Sequence, residues 1–139
     1  MEADRVPDSQ RPLLGTFVLV VDDNEDNREM LCLFLRSCGA AAFGAPDAAK
    51  ALSFLNIARF DVLISDISMP EIDGHDLIRS VRKLQSANRD IFAIALTGVP
   101  MPEQKSLEAG FDVHILKPSD IFELCQLIAS HEPRHQIAP

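Results

Sequence analysis

The sequence predicts a single α/β domain, a doubly wound (βα)5 unit with a parallel five-stranded sheet of order 2-1-3-4-5. Three observations carry that prediction. Short apolar runs alternate five times with segments of helical periodicity. Two of those runs end in acids. The chain, at 139 residues, suits one core and is too short for two domains of ordinary size. Units this short need right-handed crossovers, and the strand order then reverses where strands 1 and 3 lie side by side.

The elements follow in order. Phe17–Val21 reads as a buried strand, and Asn24 can cap a helix carrying Met30, Leu31, Phe34 and Cys38 at helical spacing, stopped by Gly39. Ala40–Phe43 is a weak second strand. Pro46 opens a helix with Ala49, Leu52 and Leu55 on one stripe, and Val62–Ser65 is the third strand. Gly74 ends a turn before the apolar face Leu77, Ile78, Val81 and Leu84. Ile91–Leu96 is continuously apolar, as a central parallel strand covered on both faces requires. The next helix is bounded by Pro100, Pro102 and Gly110 and has Leu107 as its one large apolar residue, so it should be short and mobile. Val113–Leu116 forms the fifth strand, and Ile121, Leu124, Cys125 and Ile128 define the last helix.

Composition narrows the function. A net charge of −8 with no cluster of Lys or Arg argues against direct binding of nucleic acid or anionic membranes. The cysteines Cys32, Cys38 and Cys125 are odd in number and lack C-x-x-C spacing, which fits reduced thiols in a cytosol. No apolar stretch approaches the 18 or so residues of a membrane span, and the polar N-terminus has no leader-like apolar region. The expectation is a cytoplasmic chain with a flexible segment at residues 1–15, a domain at 16–131 and a tail at 132–139.

The candidate chemistry gathers at one edge of the sheet. Asp22 and Asp23 follow the first strand and Asp66 follows the third, so the strand order brings three carboxylates together. Such a cluster either holds raised pKa values or binds a divalent cation. Thr97 follows the fourth strand and Lys117 the fifth, at the same edge. Mg2+ on the acids, one carboxylate as nucleophile, and Lys and Thr on phosphoryl oxygens would complete a phosphoryl-transfer site.

At these residues the chain resembles a known family. Leu19-Val20-Val21-Asp22-Asp23-Asn24, Asp61 through Pro70 with Asp73-Gly74, Ala95-Leu96-Thr97-Gly98, and Ala109-Gly110-Phe111 leading to Leu116-Lys117-Pro118 are similar to the flavodoxin-like receiver domain of two-component response regulators. The likeness covers roughly residues 16 to 131 and is strongest to receivers attached to hybrid sensor histidine kinases. It implies Asp66 as phosphoacceptor, with Asp22, Asp23, Asp66 and Ser68 about a Mg2+ ion. Thr97 would be the switch hydroxyl and Lys117 the contact to the acyl phosphate.

By the same likeness the donor would be the phosphohistidine of a sensor kinase or phosphotransfer protein, and the Lys117-Pro118 peptide would be cis. The output would be a shift of the surface of strand 4, helix 4 and strand 5, and a homodimer is compatible with it. The modification would be self-catalysed, with slow hydrolysis, rather than conventional turnover. One departure stands out: His114 occupies the position, three before Lys117, that is usually Tyr or Phe. It is either a satisfied strand histidine or part of an altered switch.

Rival readings are weaker. Asp22-x-Asn24-x-Asp26 imitates an EF-hand start, but Asn27 replaces the needed Gly and Leu33 the bidentate Glu. A haloacid dehalogenase-type phosphatase needs a second Asp where Ser68 stands, and an FMN phosphate loop would not be Asp22-Asp23-Asn24-Glu25-Asp26. A receiver that binds proteins without phosphorylation, or serves as a phosphate sink in a phosphorelay, remains the alternative.

Overall fold

The computed structural model describes residues 11–69, 71–117 and 121–131. Its elements are β1 (Phe17–Val21), α1 (Glu25–Ser37), β2 (Ala41–Ala45), α2 (Ala48–Ile57), β3 (Val62–Asp66), α3 (Gly74–Arg82), a 3-10 turn (Ala87–Asp90), β4 (Phe92–Thr97), α4 (Glu103–Ala109), β5 (Val113–Leu116) and α5 (Ile121–Ser130). All strand pairs are parallel and the order is β2-β1-β3-β4-β5, as expected.

Alternation along the strands divides the core. Leu19, Val21, Leu63, Ala93 and Ala95 face α2 and α3, where they meet Ala51, Leu55, Leu77, Ile78 and Val81. Val18, Val20, Val62, Ile64 and Ile94 face α1 and α5, where they meet Leu35, Leu124 and Ile128. Because β3 and β4 are covered on both faces, all of their residues are buried.

The helices start where short polar side chains can accept from the backbone. Asn24 accepts from the Asn27 N–H, Asp47 from Lys50 and Asp73 from Asp76. Asp47, one residue after the expected opener Pro46, thus caps α2.

Several apolar faces are rotated from expectation. In α1 Cys32 and Leu35 are buried while Met30 is 63% exposed. In α2 the stripe is Ala48, Ala51 and Leu55, with Ala49 exposed. In α4 only Ser106 and Ala109 are buried, and Leu107 lies outward. Small residues decide these cases: an alanine or serine can sit against a neighbour where bulk would clash, and periodicity of large side chains does not see it.

The N-terminal edge also moves. Residues 11–15 were expected in a flexible segment, yet Leu13 is fully buried among the α1-side core residues and its N–H donates to the Cys38 carbonyl. Cys32, Cys38 and Cys125 are free thiols, and burial together with the Cys38 sulfur pushes the Cys125 thiol up to about 12. Among the described residues no helix is long and apolar enough to cross a membrane.

Buried Asn88 ties the lower edge of the sheet together. Its amide donates to the Leu55 and Ala58 carbonyls at 2.8 and 2.7 Å, and its oxygen accepts from the Phe60 N–H at 3.0 Å. Asn88→Ala leaves three backbone groups without these partners. Each buried orphan costs on the order of 1–3 kcal/mol, and water entry recovers part of that, so the variant should lose about 2–4 kcal/mol in urea unfolding with an unchanged slope.

Candidate functional site

Register sets the site. Val21 pairs with Ser65, Asp66 with Leu96 and Thr97 with Leu116, so Asp22, Asp66, Thr97 and Lys117 all leave the sheet along its carboxyl edge. One oxygen from each of Asp22, Asp23 and Asp66 can be chosen so that all lie within 4.8 Å of one another. Asp22 and Asp66 are buried and Asp23 is exposed. The Lys117 Nζ stands 3.1 Å from Asp22 Oδ2 and 3.8 Å from Asp66 Oδ2.

Backbone chemistry holds these groups. The Asn24 N–H donates to Asp22 Oδ1 at 2.9 Å, and Arg28 Nη1 donates to the Asp22 carbonyl at 2.9 Å. On the other side Gly74 N–H donates to the Ile67 carbonyl at 2.9 Å. A Cβ at Gly74 would come within 2.5 Å of the Asp66 carbonyl oxygen, so only glycine lets α3 begin this close to the acid. Ser68 is exposed, and its backbone N–H, rather than its membership of the carboxylate group, links it to Asp66.

Two further expected residues are hydrogen-bonded within the fold. The Thr97 hydroxyl is buried and engaged with Val99, donating to its carbonyl at 3.0 Å and accepting from its N–H at 3.2 Å. His114 Nδ1 lies 2.8 Å from Ser106 Oγ, which is also 3.1 Å from His75 Nε2. Pro118 lies outside the described residues, and with it the expectation for the Lys117-Pro118 peptide.

Sequence reasoning missed Arg28, His75 and Ser106. A serine in the middle of a short helix, at a position its neighbours show to be inward, was the available signal for the last.

Electrostatically the cluster is crowded. Burial raises the Asp66 carboxyl above the ordinary carboxylate value; Lys117 opposes this, and Asp22 and Asp23 add to it. Three acids within reach of one point, with a neighbour already strained in its charged form, fit a small oxygen-seeking dication such as Mg2+. An open groove lined by Asp22, Asn27, Met30, Leu31, Gly98 and Lys117 gives access to this edge.

The raised Asp66 value carries a sign for stability. The folded chain holds the proton more tightly than the unfolded chain, so the charged form destabilises the fold once the pH exceeds the folded pKa. Asp66→Asn should therefore have the higher Tm at neutral pH without divalent cation. That advantage should disappear as the pH falls below the ordinary carboxylate range, where both side chains are uncharged. Thermal unfolding across pH checks it, and added Mg2+ should narrow the neutral-pH gap by stabilising the wild type.

Comparison with known proteins agrees with this fold. Residues 18–129 match the family model of the response regulator receiver domain. An uncharacterised 14.6 kDa protein of Leptolyngbya boryana is 40% identical over 116 residues, covering 82% of this chain and 88% of that protein. The sensor histidine kinase RcsC of Escherichia coli is 30% identical over 117 residues, which are 84% of this chain and only 12% of the kinase. Among solved structures, a response regulator receiver protein from Pseudomonas putida superposes with a TM-score of 0.76 at 34% identity, covering 84% of this chain and 97% of that one. With the family match spanning nearly the whole folded unit and five strands in the receiver order, the chain belongs to the response regulator receiver domain family of two-component signal transduction.

Proposed function

We propose that this chain is a phosphoacceptor: Asp66 takes a phosphoryl group from the phosphohistidine of a sensor kinase or phosphotransfer protein in the cytoplasm, and the change is read on the surface of β4, α4 and β5. The observation that carries the reading is the placement of Lys117 Nζ 3.1 Å from Asp22 and 3.8 Å from Asp66, across a sheet edge where three carboxylates converge.

A carboxylate oxygen of Asp66 attacks phosphorus as the P–N bond of the donor breaks, and the departing imidazole keeps the bond's electron pair and takes up a proton. Asp22, Asp23 and Asp66, with Ser68 alongside, would hold Mg2+, which supplies charge neutralisation for the incoming phosphoryl oxygens. Lys117 is near enough to exchange part of its attraction for Asp22 and Asp66 for a phosphoryl oxygen. Arg28 and Asn24 keep Asp22 in place while this happens.

The switch would begin at Thr97. Its hydroxyl closes the turn to Val99, so pointing it at a phosphoryl oxygen costs that turn two hydrogen bonds. The loop so loosened leads into α4, whose N-cap Pro102 provides no side-chain bond. His114 would take the place of the usual aromatic, responding through Ser106.

Asp66→Asn should fold and take up no acid-labile phosphate from acetyl phosphate or a cognate kinase, because the amide keeps the volume but is not a nucleophile at phosphorus. Phosphate on the Asn variant would refute the assignment. Asp23→Asn should weaken Mg2+ binding, followed by titration, since a few carboxylates and waters give only a weak site; an unchanged titration curve would place the metal elsewhere.

A further inference from the structure

The hydrogen-bonded chain His75–Ser106–His114 joins three elements. His75 is in the first turn of α3, Ser106 in the middle of α4 and His114 in β5. Ser106 is fully buried, and in α4 only Ala109 shares that inward position. The chain also touches both routes out of the acidic site. His75 follows Gly74, which packs on the Asp66–Ile67 backbone, and His114 pairs with Ala95, two residues before Thr97.

A serine hydroxyl has one proton and two acceptor sites. With both rings neutral, Ser106 can accept the N–H of one imidazole and give its hydroxyl proton to the other. One added proton is compatible with that chain if it resides on the donating ring. A proton added instead to the accepting ring removes the nitrogen that takes the hydroxyl proton.

We propose that the shared Ser106 hydroxyl is a latch on α4, opened by phosphorylation of Asp66 and opened also by proton uptake at His75. The proposal rests on the phosphoacceptor reading of Asp66. When Thr97 turns toward the phosphoryl group, the loop 98–102 moves and draws α4 from α3 and β5, and the Ser106 bonds break. Because both events release the same contact, they are linked: whatever phosphorylation does to the proton affinity of His75, protons must do to the affinity for the phosphoryl group.

The surroundings set the direction. Burial depresses the His75 pKa; Asp73, the N-cap of α3, opposes this, while Arg79 of α3, Lys105 of α4 and His114 of β5 add to it. Phe111 lies edge-on to the His75 ring, with centroids 6.5 Å apart. Departure of α4 removes Lys105 and admits water while Asp73 stays, so His75 becomes easier to protonate in the open state. The latched form is therefore the one disfavoured as pH falls below the ordinary histidine value.

The test is an NMR titration of the His75 ring from about pH 5 to pH 8, with and without beryllofluoride and Mg2+ as phosphoryl mimic. The midpoint should rise by about half a unit or more on adding the mimic, which corresponds to roughly threefold tighter mimic binding at the acid end. Ser106→Ala should lose that rise, and Ser106→Thr, which keeps the hydroxyl, should retain it. If the amides of Asp22, Asp66 and Thr97 shift with the mimic while the His75 midpoint stays, the latch is wrong and the phosphoacceptor reading stands. An undiminished rise in Ser106→Ala overturns the latch as well. If no amide near Asp66 responds and Asp66 takes up no phosphate, the phosphoacceptor reading fails and the latch with it.

Discussion

Crowding of like charge at the carboxyl edge of the sheet is the constraint on which this molecule depends. Three carboxylates share a space less than 5 Å across because β1 and β3 are neighbours and their register is locked by the buried Val and Ile residues on both faces. A slip of one residue would turn the apolar side chains of β3 to the wrong layers, so the core and the site are specified together. Lys117 offsets part of the repulsion from 3.1 and 3.8 Å, and the Asn24 and Ser68 backbone N–H groups offset a further part. The residual cost, visible in the raised Asp66 value, favours any partner that brings positive charge to the edge.

The opposite edge is built differently. Asp61 Oδ2 accepts from the Phe17 N–H at 2.8 Å, and Asp112 Oδ2 accepts from the Ala93 N–H at 2.8 Å and from Arg82. Arg82 further donates to the carbonyls of Gly110, Arg89 and Ile91. These bonds pin the starts of β1, β4 and β5 to their neighbours.

The helices differ in how firmly they are anchored. α3 buries Leu77, Ile78 and Val81 completely, whereas α4 offers the core a serine and an alanine. Burial of a large aliphatic side chain contributes on the order of 1.5–3 kcal/mol, and α4 has no such anchor. Its position rests on polar geometry, which can be exchanged for other polar geometry at small net cost. α3 is therefore the more firmly anchored of the two helices.

Strand positions, their order and the five residues at the carboxyl edge were legible from the chain alone, because a buried parallel strand must be a short apolar run and a polar residue ending one has few explanations. Asp22, Asp23, Asp66, Thr97 and Lys117 came from that logic together with the family likeness. Helix faces were less legible. Met30 was read inward from its size and lies outward, since small residues such as Ala51, Ser106 and Ala109 make the close contacts. Leu13 could not be placed without knowing that the end of α1 offers it a seat. The partners of Asn88, the turn closed by Thr97 and the union of His75 with His114 through Ser106 join residues separated by up to 39 positions or by a change of direction. Such hydrogen bonds depend on distances of a few tenths of an ångström between elements. Patterning selects which elements pack; only their packed positions decide which polar atoms meet.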